Sequence, residues 1–400
     1  MAFRNIFRHK RRSALTGLMM AGGCFLFAIF IGMVDGTYGN LIDMFTLDHT
    51  GHIQIHRKGY LDKPTIYKTL NNPDATGSKL VPLAHVQSWA PRVYTPALAF
   101  AGKKTTGVQV TGVDPVREAS TTRLVHKVKR GRFISASPSN EIVISDGLAR
   151  ILKADLDSEI ALIAQGADGS VANNLFTVAG ITGMGAGAAG ASTCYLHIRS
   201  VQEFLSLGGR AHEIAVVLSD HTKVLNTVTL IKDALDDPML DVDPWQVVES
   251  QFYRAMQADI KGNRYTIMVF TIIIAFGVLN TILMIILERT REFGVLKALG
   301  TRPFQIFAII VMESVFLSII SIVIGTALGV FGNWMLSIYG ITYPTPIEYG
   351  GFVFDRLTAR ITVRSLVMPA VIISATALLV SIPPAIRAAR IIPVKAMRAM

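Results

Sequence analysis

Three histidines close together, His49, His52 and His56, are the first residues that could do chemistry, because clustered imidazoles are common metal ligands. In the alternating stretch His52-Ile53-Gln54-Ile55-His56 the two ends share a strand face. They stand about 13 Å apart along it, too far for one ion, so they read as surface or core histidines and no metal is expected. A glycine run, Gly183–Gly190 (GMGAGAAG), has the look of a phosphate cradle. It lacks the Lys-Ser/Thr of a P-loop and a following helix start to aim amides at a phosphate, so it reads as a loop. Glu313 is an ionisable group inside an apolar run, only about 10 Å of helix beyond Ile306. Snorkelling to the headgroups or pairing with a nearby arginine costs less there than a transport role. Cys24 sits in an apolar run and Cys194 in a polar segment, so the two do not pair within one chain. No G-x-S-x-G, H-E-x-x-H or C-x-x-C occurs, and no residue set is nominated as catalytic.

The elements around these residues belong to a membrane protein. Of 400 residues 51% are hydrophobic, yet long polar stretches remain. Apolar runs at Ser13–Val34, Tyr265–Leu287, Phe307–Met335 and Ser365–Ile382 are read as spans, since about 20 apolar residues cross about 30 Å of hydrocarbon. The first run is too long for a signal-peptide core and no A-x-A-like site follows it, so an uncleaved span is expected. The formal charge of +11 sits beside the spans: Arg4, Arg8, Lys10, Arg11 and Arg12; Arg289, Arg291, Lys297 and Arg302; Arg387, Arg390, Lys395 and Arg398. All three clusters fall on one side of a four-span layout, which the positive-inside rule assigns to the cytoplasm, and no motif supports nucleic-acid binding.

The expected organisation is a basic cytoplasmic N-terminus (1–12), a first span (13–34), an extracytoplasmic domain (35–264), a second span (265–287), a cytoplasmic connector (288–303), a third span (304–336), an outer loop (337–364), a fourth span (365–382) ended by Pro383-Pro384, and a basic cytoplasmic tail (383–400). Apolar β-branched runs at Gly107–Val113, Glu141–Ser145, Phe176–Ile181 and Glu213–Leu218 alternate with helical patterns at Asp146–Leu152, Ser200–Leu207 and His221–Leu235. The fold class is thus an α-helical membrane protein with four transmembrane helices and a large α/β extracytoplasmic domain inserted between the first and second. Asp168-Gly169 marks a tight hairpin. Trp245, Phe252, Tyr253 and Met256 recur at helical spacing, as a stalk into the second span or as ordinary core packing. Ser321, Gly325, Gly329 and Gly332 form a small-residue stripe that permits close helix contact. In the connector, a helix would put Phe293, Val295, Leu296 and Leu299 on one side and Thr290, Arg291 and Lys297 on the other, with Gly300 as its stop.

The connector E-R-T-R-E-F-G-V-L-K-A-L-G at Glu288–Gly300, the tail P-P-A-I-R-A-A-R-I-I-P-V-K-A-M-R from Pro383, and the segments Gly107–Pro115, Gly131–Ser135 and Glu141–Ala149 resemble the MacB/FtsX-type permeases of ABC transporters. The resemblance covers essentially the whole chain. It implies a coupling helix seated in a groove of a separate ATPase, with Glu288, Arg289, Arg291, Glu292, Gly294, Lys297 and Gly300 as the coupling residues. It further implies two ATPase copies that hold ATP and Mg, no cofactor on this chain itself, no enzymatic activity in it, and a second permease copy or homologue as dimer partner. The layout, with T-G-H-I-Q-I-H-R-K-G-Y from Thr50, is most similar to the lipoprotein-releasing (LolC/LolE-like) permeases of the bacterial inner membrane. That implies extraction of lipoproteins and a periplasmic lipoprotein carrier. The stretch matching their carrier hook is Gln165–Asn174, which has no proline; its candidate contacts are Gln165, Asp168, Gly169, Asn173 and Asn174. MacB-like efflux of peptides or drugs through a tripartite system, and FtsX-like signalling to a cell-wall hydrolase, are the competing readings.

Overall fold

The computed structural model describes residues 10–183, 192–349 and 352–391, and the chain divides into two compact units. One comprises Met1–Gly39, Met256–Thr342 and Arg356–Met400; the other comprises Asn40–Ala255 and Tyr343–Asp355. The glycine run, apart from Gly183, lies outside the described residues, as do Arg4, Arg8, Lys395 and Arg398.

The first unit is built on helices. Among the described residues, helix α1 (Lys10–Phe45) is the first of four elements long and apolar enough to cross a membrane. The later three, in chain order after the α/β domain, are Ser250–Glu288, Pro303–Ile338 and Val363–Ala389. The small-residue stripe lies where α1 meets Pro303–Ile338. Ser321 Oγ donates to Gly17 O at 3.0 Å, Asn333 Nδ2 donates to Ala28 O at 2.9 Å, and Gly325 lies against Ala21 and Cys24. Only small residues let two backbones come this close, and the two carbonyls give the Ser321 hydroxyl and the Asn333 amide partners that hydrocarbon would not supply. Gly332 faces Phe25 and Ile29 instead. Pro383-Pro384, expected as the end of the fourth span, is inside a helix that runs on to Ala389. Ala385 and Ala388 behind it are fully buried in the same core as Met20, Phe27 and Ile310, and that packing offsets the lost hydrogen bonds, which in isolation cost about 3 kcal/mol per proline.

The second unit is an α/β domain. Its strands are β1 (Ile53–Arg57), β2 (Val86–Ala101), β3 (Lys104–Val113), β4 (Val128–Gly131), β5 (Glu141–Ser145), β6 (Glu159–Gln165), β7 (Val171–Thr182), β8 (Thr193–His197), β9 (Glu213–Leu218) and β10 (Leu240–Pro244). They run in the order β10-β1-β9-β2-β3-β8-β5-β7-β4, with β6 pairing both β2 and β7. Strands β2, β3, β8, β5, β7 and β6 therefore close a ring on themselves, which removes the exposed edges an open sheet would leave. The 16-residue β2 serves both halves: Val86–Arg92 pairs with β9, and Leu98–Phe100 pairs with β6. Val110, Ile142, Ile144, Leu162, Val178 and Leu196 fill the core with no exposed surface.

Helices α2 (Pro73–Ser78), α3 (Pro115–Thr121), α4 (Asp146–Leu152), α5 (Ile198–Phe204), α6 (Val224–Leu235) and α7 (Trp245–Val248) complete the domain. Ser145 ends β5 and caps α4 through its hydroxyl, which accepts from Leu148 N at 3.2 Å; Asp114 caps α3 by accepting from Val116 N and Arg117 N. Trp245, Phe252 and Tyr253 pack together with Phe45, so within this domain the aromatic spacing marks a core. The expected outer loop contains a two-stranded ribbon, β11 (Ile341–Tyr349) and β12 (Phe352–Leu357).

Candidate functional site

Between the second and third long helices, named α8 (Ser250–Glu288) and α10 (Pro303–Ile338), lies α9 (Thr290–Ala298), the connector. Arg289 stands at its N-cap without a side-chain cap bond, and its end is set by Gly300, whose φ of +90° is a backbone conformation that favours glycine. Pro303 then opens α10, where a missing N–H costs nothing.

The inward stripe of α9 is Arg289, Phe293, Gly294 and, less covered, Leu296 and Lys297. Phe293 is 1% exposed. Arg289 is nearly as deep: its Nη1 lies 3.1 Å from Glu313 Oε2 on α10, its Nε lies 2.9 Å from Glu292 Oε2, and its guanidinium stands 5.1 Å from the Phe293 ring. Lys297 Nζ donates to the carbonyl of Ile391 at 2.8 Å, two residues past the last long helix, α11 (Val363–Ala389). The outward stripe carries Arg291, Glu292, Val295 and Leu299, the last two 48% and 78% exposed.

The covered side cuts across the two sides read from the sequence: Phe293 and Leu296 of the apolar side are covered whereas Val295 and Leu299 are exposed, and Lys297 of the polar side reaches the Ile391 carbonyl. Of the seven expected coupling residues, Glu288, Arg291, Glu292 and Gly300 are exposed, Lys297 is half-buried, and Arg289 and Gly294 are buried against the chain's own helices. The pairing of Glu313 with an arginine, one of the two cheap outcomes for an acid at that depth, is the one realised.

In the α/β domain the β6–β7 hairpin turns at Asp168, whose Oδ1 accepts from Ser170 N at 3.0 Å and from its hydroxyl at 2.6 Å, while Gly169 takes φ +85°. Gln165 faces Val171 across the ladder and Asn173 and Asn174 follow on β7, all exposed. Of the three histidines, His49 and His56 both lie beside Glu213, while His52 is bonded elsewhere. His52 Nδ1 accepts from Leu218 N at 3.0 Å, and burial, with His221 nearby, pushes its pKa down to about 4. His56 is fully buried, stacks on Tyr60 at 5.2 Å, and lies 3.6 Å from Glu213 Oε2. Among the described residues no group of three or more His, Cys, Asp or Glu could hold a metal ion, and both cysteines are free and buried.

A feature the sequence did not disclose is a buried charge cluster on β2, α3 and β9. Arg92 Nη2 meets Glu118 Oε1 at 2.6 Å and its Nη1 meets Glu213 Oε1 at 3.3 Å; Nη1 also donates to the His49 carbonyl. Tyr94 and Gln54 add hydrogen bonds to Glu213. Burial alone would raise the Glu213 pKa, but His56 and Arg92 beside it outweigh that and hold it below the usual carboxylate range. Residues 92, 118 and 213 are far apart in sequence, so no local pattern signals them.

The family model for the MacB-like periplasmic core domain matches residues 13–234, and that for the FtsX-like permease C-terminal matches residues 265–393. The lipoprotein-releasing system transmembrane protein LolC of Neisseria meningitidis is 24% identical over 255 residues, 61% of this chain and 60% of that one. LolC of Xylella fastidiosa (strain Temecula1) is 24% identical over 330 residues, 77% of each. The chain thus spans well under two thirds of the first of these relatives and about three quarters of the second. The periplasmic region of MacB from Actinobacillus actinomycetemcomitans aligns with a TM-score of 0.37 at 14% identity, covering 50% of this chain and 92% of that one. With four apolar helices, a core-domain match and LolC-type relatives, the chain is a protein of a bacterial inner membrane. The core-domain match covers more than half of its length, and the chain belongs to the MacB/FtsX family of ABC transporter permeases.

Proposed function

We propose that this chain is the permease subunit of a transporter that releases lipoproteins from the inner membrane, driven by a separate ATPase that grips α9. The observation that carries the reading is the two-sidedness of α9. One side is fastened to α10 and to Ile391, while the other offers Arg291, Glu292, Val295 and Leu299 to a partner. In this reading both termini are cytoplasmic and the α/β domain is periplasmic, as the basic clusters require. The ATPase, in two copies, holds ATP and Mg, and this chain hydrolyses nothing. A second permease, identical or homologous, completes the pair. Helix α8, whose apolar window is only 17% covered within the chain against 44% for α1, has the most surface to give it. The specific cargo is supported by the likeness to LolC, and the β6–β7 hairpin is the candidate contact for a periplasmic carrier.

Export of peptides or drugs is the second reading, supported by the MacB-like core match over residues 13–234. One purification separates the two. Tagged chain is isolated with its native partners, and co-purifying proteins and bound lipids are identified by mass spectrometry. An ATPase together with acylated proteins supports release; an ATPase with an outer-membrane channel and adaptor supports export. Absence of any ATPase overturns both. Arg291→Ala with Glu292→Ala is expected to lower ATPase recovery at least tenfold, and unchanged recovery removes α9 as the docking element.

A further inference from the structure

Arg289 and Glu313 form a joint with more consequence than a neutralised charge. Arg289 sits where α8 ends and α9 begins, and its side chain is 9% exposed; that of Glu313, nearly three turns into α10 by its position, is 10% exposed. The pair is lined by residues of three helices besides α9: Thr16 and Met20 of α1, Ile286 of α8, and Ile310 of α10, around a void of only about 20 Å³. The void beside the pair holds little more than one water molecule, so both side chains stay close-packed among these helices. At the other end of α9, Lys297 is held by the Ile391 carbonyl. The residues at the two attachments are about 12 Å apart along the helix axis. One attachment would leave α9 free to pivot about it; two fix both its position and its direction.

We infer that Arg289 and Glu313 are positioning residues for energy coupling: they lock α9 to α10 so that both move as one piece when a partner displaces the outward face. The inference rests on the coupling role proposed above for α9 and adds where the displacement goes. The force enters at Arg291 and Glu292 and leaves through Glu313 into the third long helix, in addition to the covalent links through Glu288 and Gly300. Glu292, which also touches Arg289, ties the exposed face to the joint directly. A pair present only to neutralise charge in the membrane would be replaceable by two neutral side chains without loss of coupling.

The test reads rigidity rather than cargo. Spin labels are placed at Ala298→Cys, on α9 but outside the four residues assigned to the ATPase, and at Val323→Cys on α10; both sites are exposed, and the native Cys24 and Cys194 are buried. The distance between the labels is measured in the complex with the ATPase, with and without a non-hydrolysable ATP analogue. In the otherwise unchanged chain the distance is expected to stay constant between nucleotide states. In Glu313→Gln it is expected to become nucleotide-dependent while ATPase recovery stays unchanged, and transport per ATP is expected to fall at least tenfold. A distance that changes with nucleotide in the unchanged chain overturns the inference, as does one that stays constant in Glu313→Gln. A chain that recovers no ATPase at all overturns the underlying coupling role instead, so the two failures are told apart.

Discussion

Removing Arg92 tests how the α/β domain keeps its two halves in register, because the guanidinium bridges Glu118 on α3 and Glu213 on β9 from the middle of β2. In Arg92→Ala both carboxylates remain buried without their cation. Breaking a buried pair from one side costs about 3–5 kcal/mol, the penalty of an uncompensated charge. Amides of β2 and β9 that exchange through opening of this region should then exchange roughly two to four orders of magnitude faster, as read by hydrogen exchange and mass spectrometry on the full chain. The pH dependence distinguishes this cause from a simple cavity. With Arg92 gone, part of the depression at Glu213 goes with it, while the contact with His56 remains. A depressed carboxyl contributes stability above its unfolded pKa of about 4.5 that is lost as pH falls through the folded value. The part of the deficit that comes from Glu213, compared with the unchanged chain at each pH, should therefore be full from about pH 7.5 down to about pH 5 and shrink below about pH 4.5. A deficit that does not shrink in acid, or no change in exchange, refutes the reasoning.

The unchanged domain should itself weaken in acid. The His52 pKa is depressed from 6.5 to about 4, so its contribution is intact above about pH 6.5 and is lost as pH falls toward 4, up to about 3 kcal/mol, checked by thermal melts across that window. Gly325→Leu puts a side chain where a Cβ would already lie 2.6 Å from Ala21 O and from Cys24 Cβ; overpacking of about 1–3 kcal/mol or more is expected, seen as a lowered melting temperature in detergent. Asp114→Ala removes the acceptor for two free amides at the start of α3 and should cost about 0.5–2 kcal/mol by denaturant titration. Asp168→Ala releases the turn of the β6–β7 hairpin with little effect on global melting but faster exchange at Gly169–Val171, which hydrogen exchange would register.

Elements defined by near neighbours were readable. Strand β5 and helix α4 keep the bounds that alternation and the Ser145 cap dictate, and Glu213–Leu218 is a strand over its whole expected length. Elements that depend on distant partners were not. The ring of β2, β3, β8, β5, β7 and β6 closes because β6 meets β2 at Leu98–Phe100, and nothing in either strand names the other. Pro383-Pro384 carries a strong local stop signal, overridden by a core that only the folded helices create. The connector shows both behaviours. Its C-terminal limit follows from Gly300 and Pro303, but which side faces in depends on Glu313, a residue 24 positions from Arg289 whose partner could have been any of several cations.

These connections also say which helices a moving α9 must take with it. Helix α10 is joined to α9 at Glu313 and, further along, to α1 through Ser321, Gly325, Gly329 and Asn333. The second seam is made of backbone contact and hydrogen bonds to carbonyl groups rather than of flexible side chains. Sliding α10 along α1 by even a fraction of a turn would break the Ser321 and Asn333 hydrogen bonds together and drive Gly325 and Gly329 against larger neighbours. A packed seam of this kind has one good register, so a displacement that reaches α10 is passed on to α1 in preference to being absorbed between them. Beyond the seam, Asp35 at the same end of α1 accepts from Thr362 Oγ1 and pairs with Arg364 at 3.0 Å, which ties α11 into the same set. Helix α8 is tied to α1 by the Tyr38 hydroxyl, which donates to Asp259 Oδ2, and to α9 by Thr290 Oγ1, which donates to the Ile286 carbonyl. It is covalently continuous with α9, and its open face gives it the freedom to meet a second subunit.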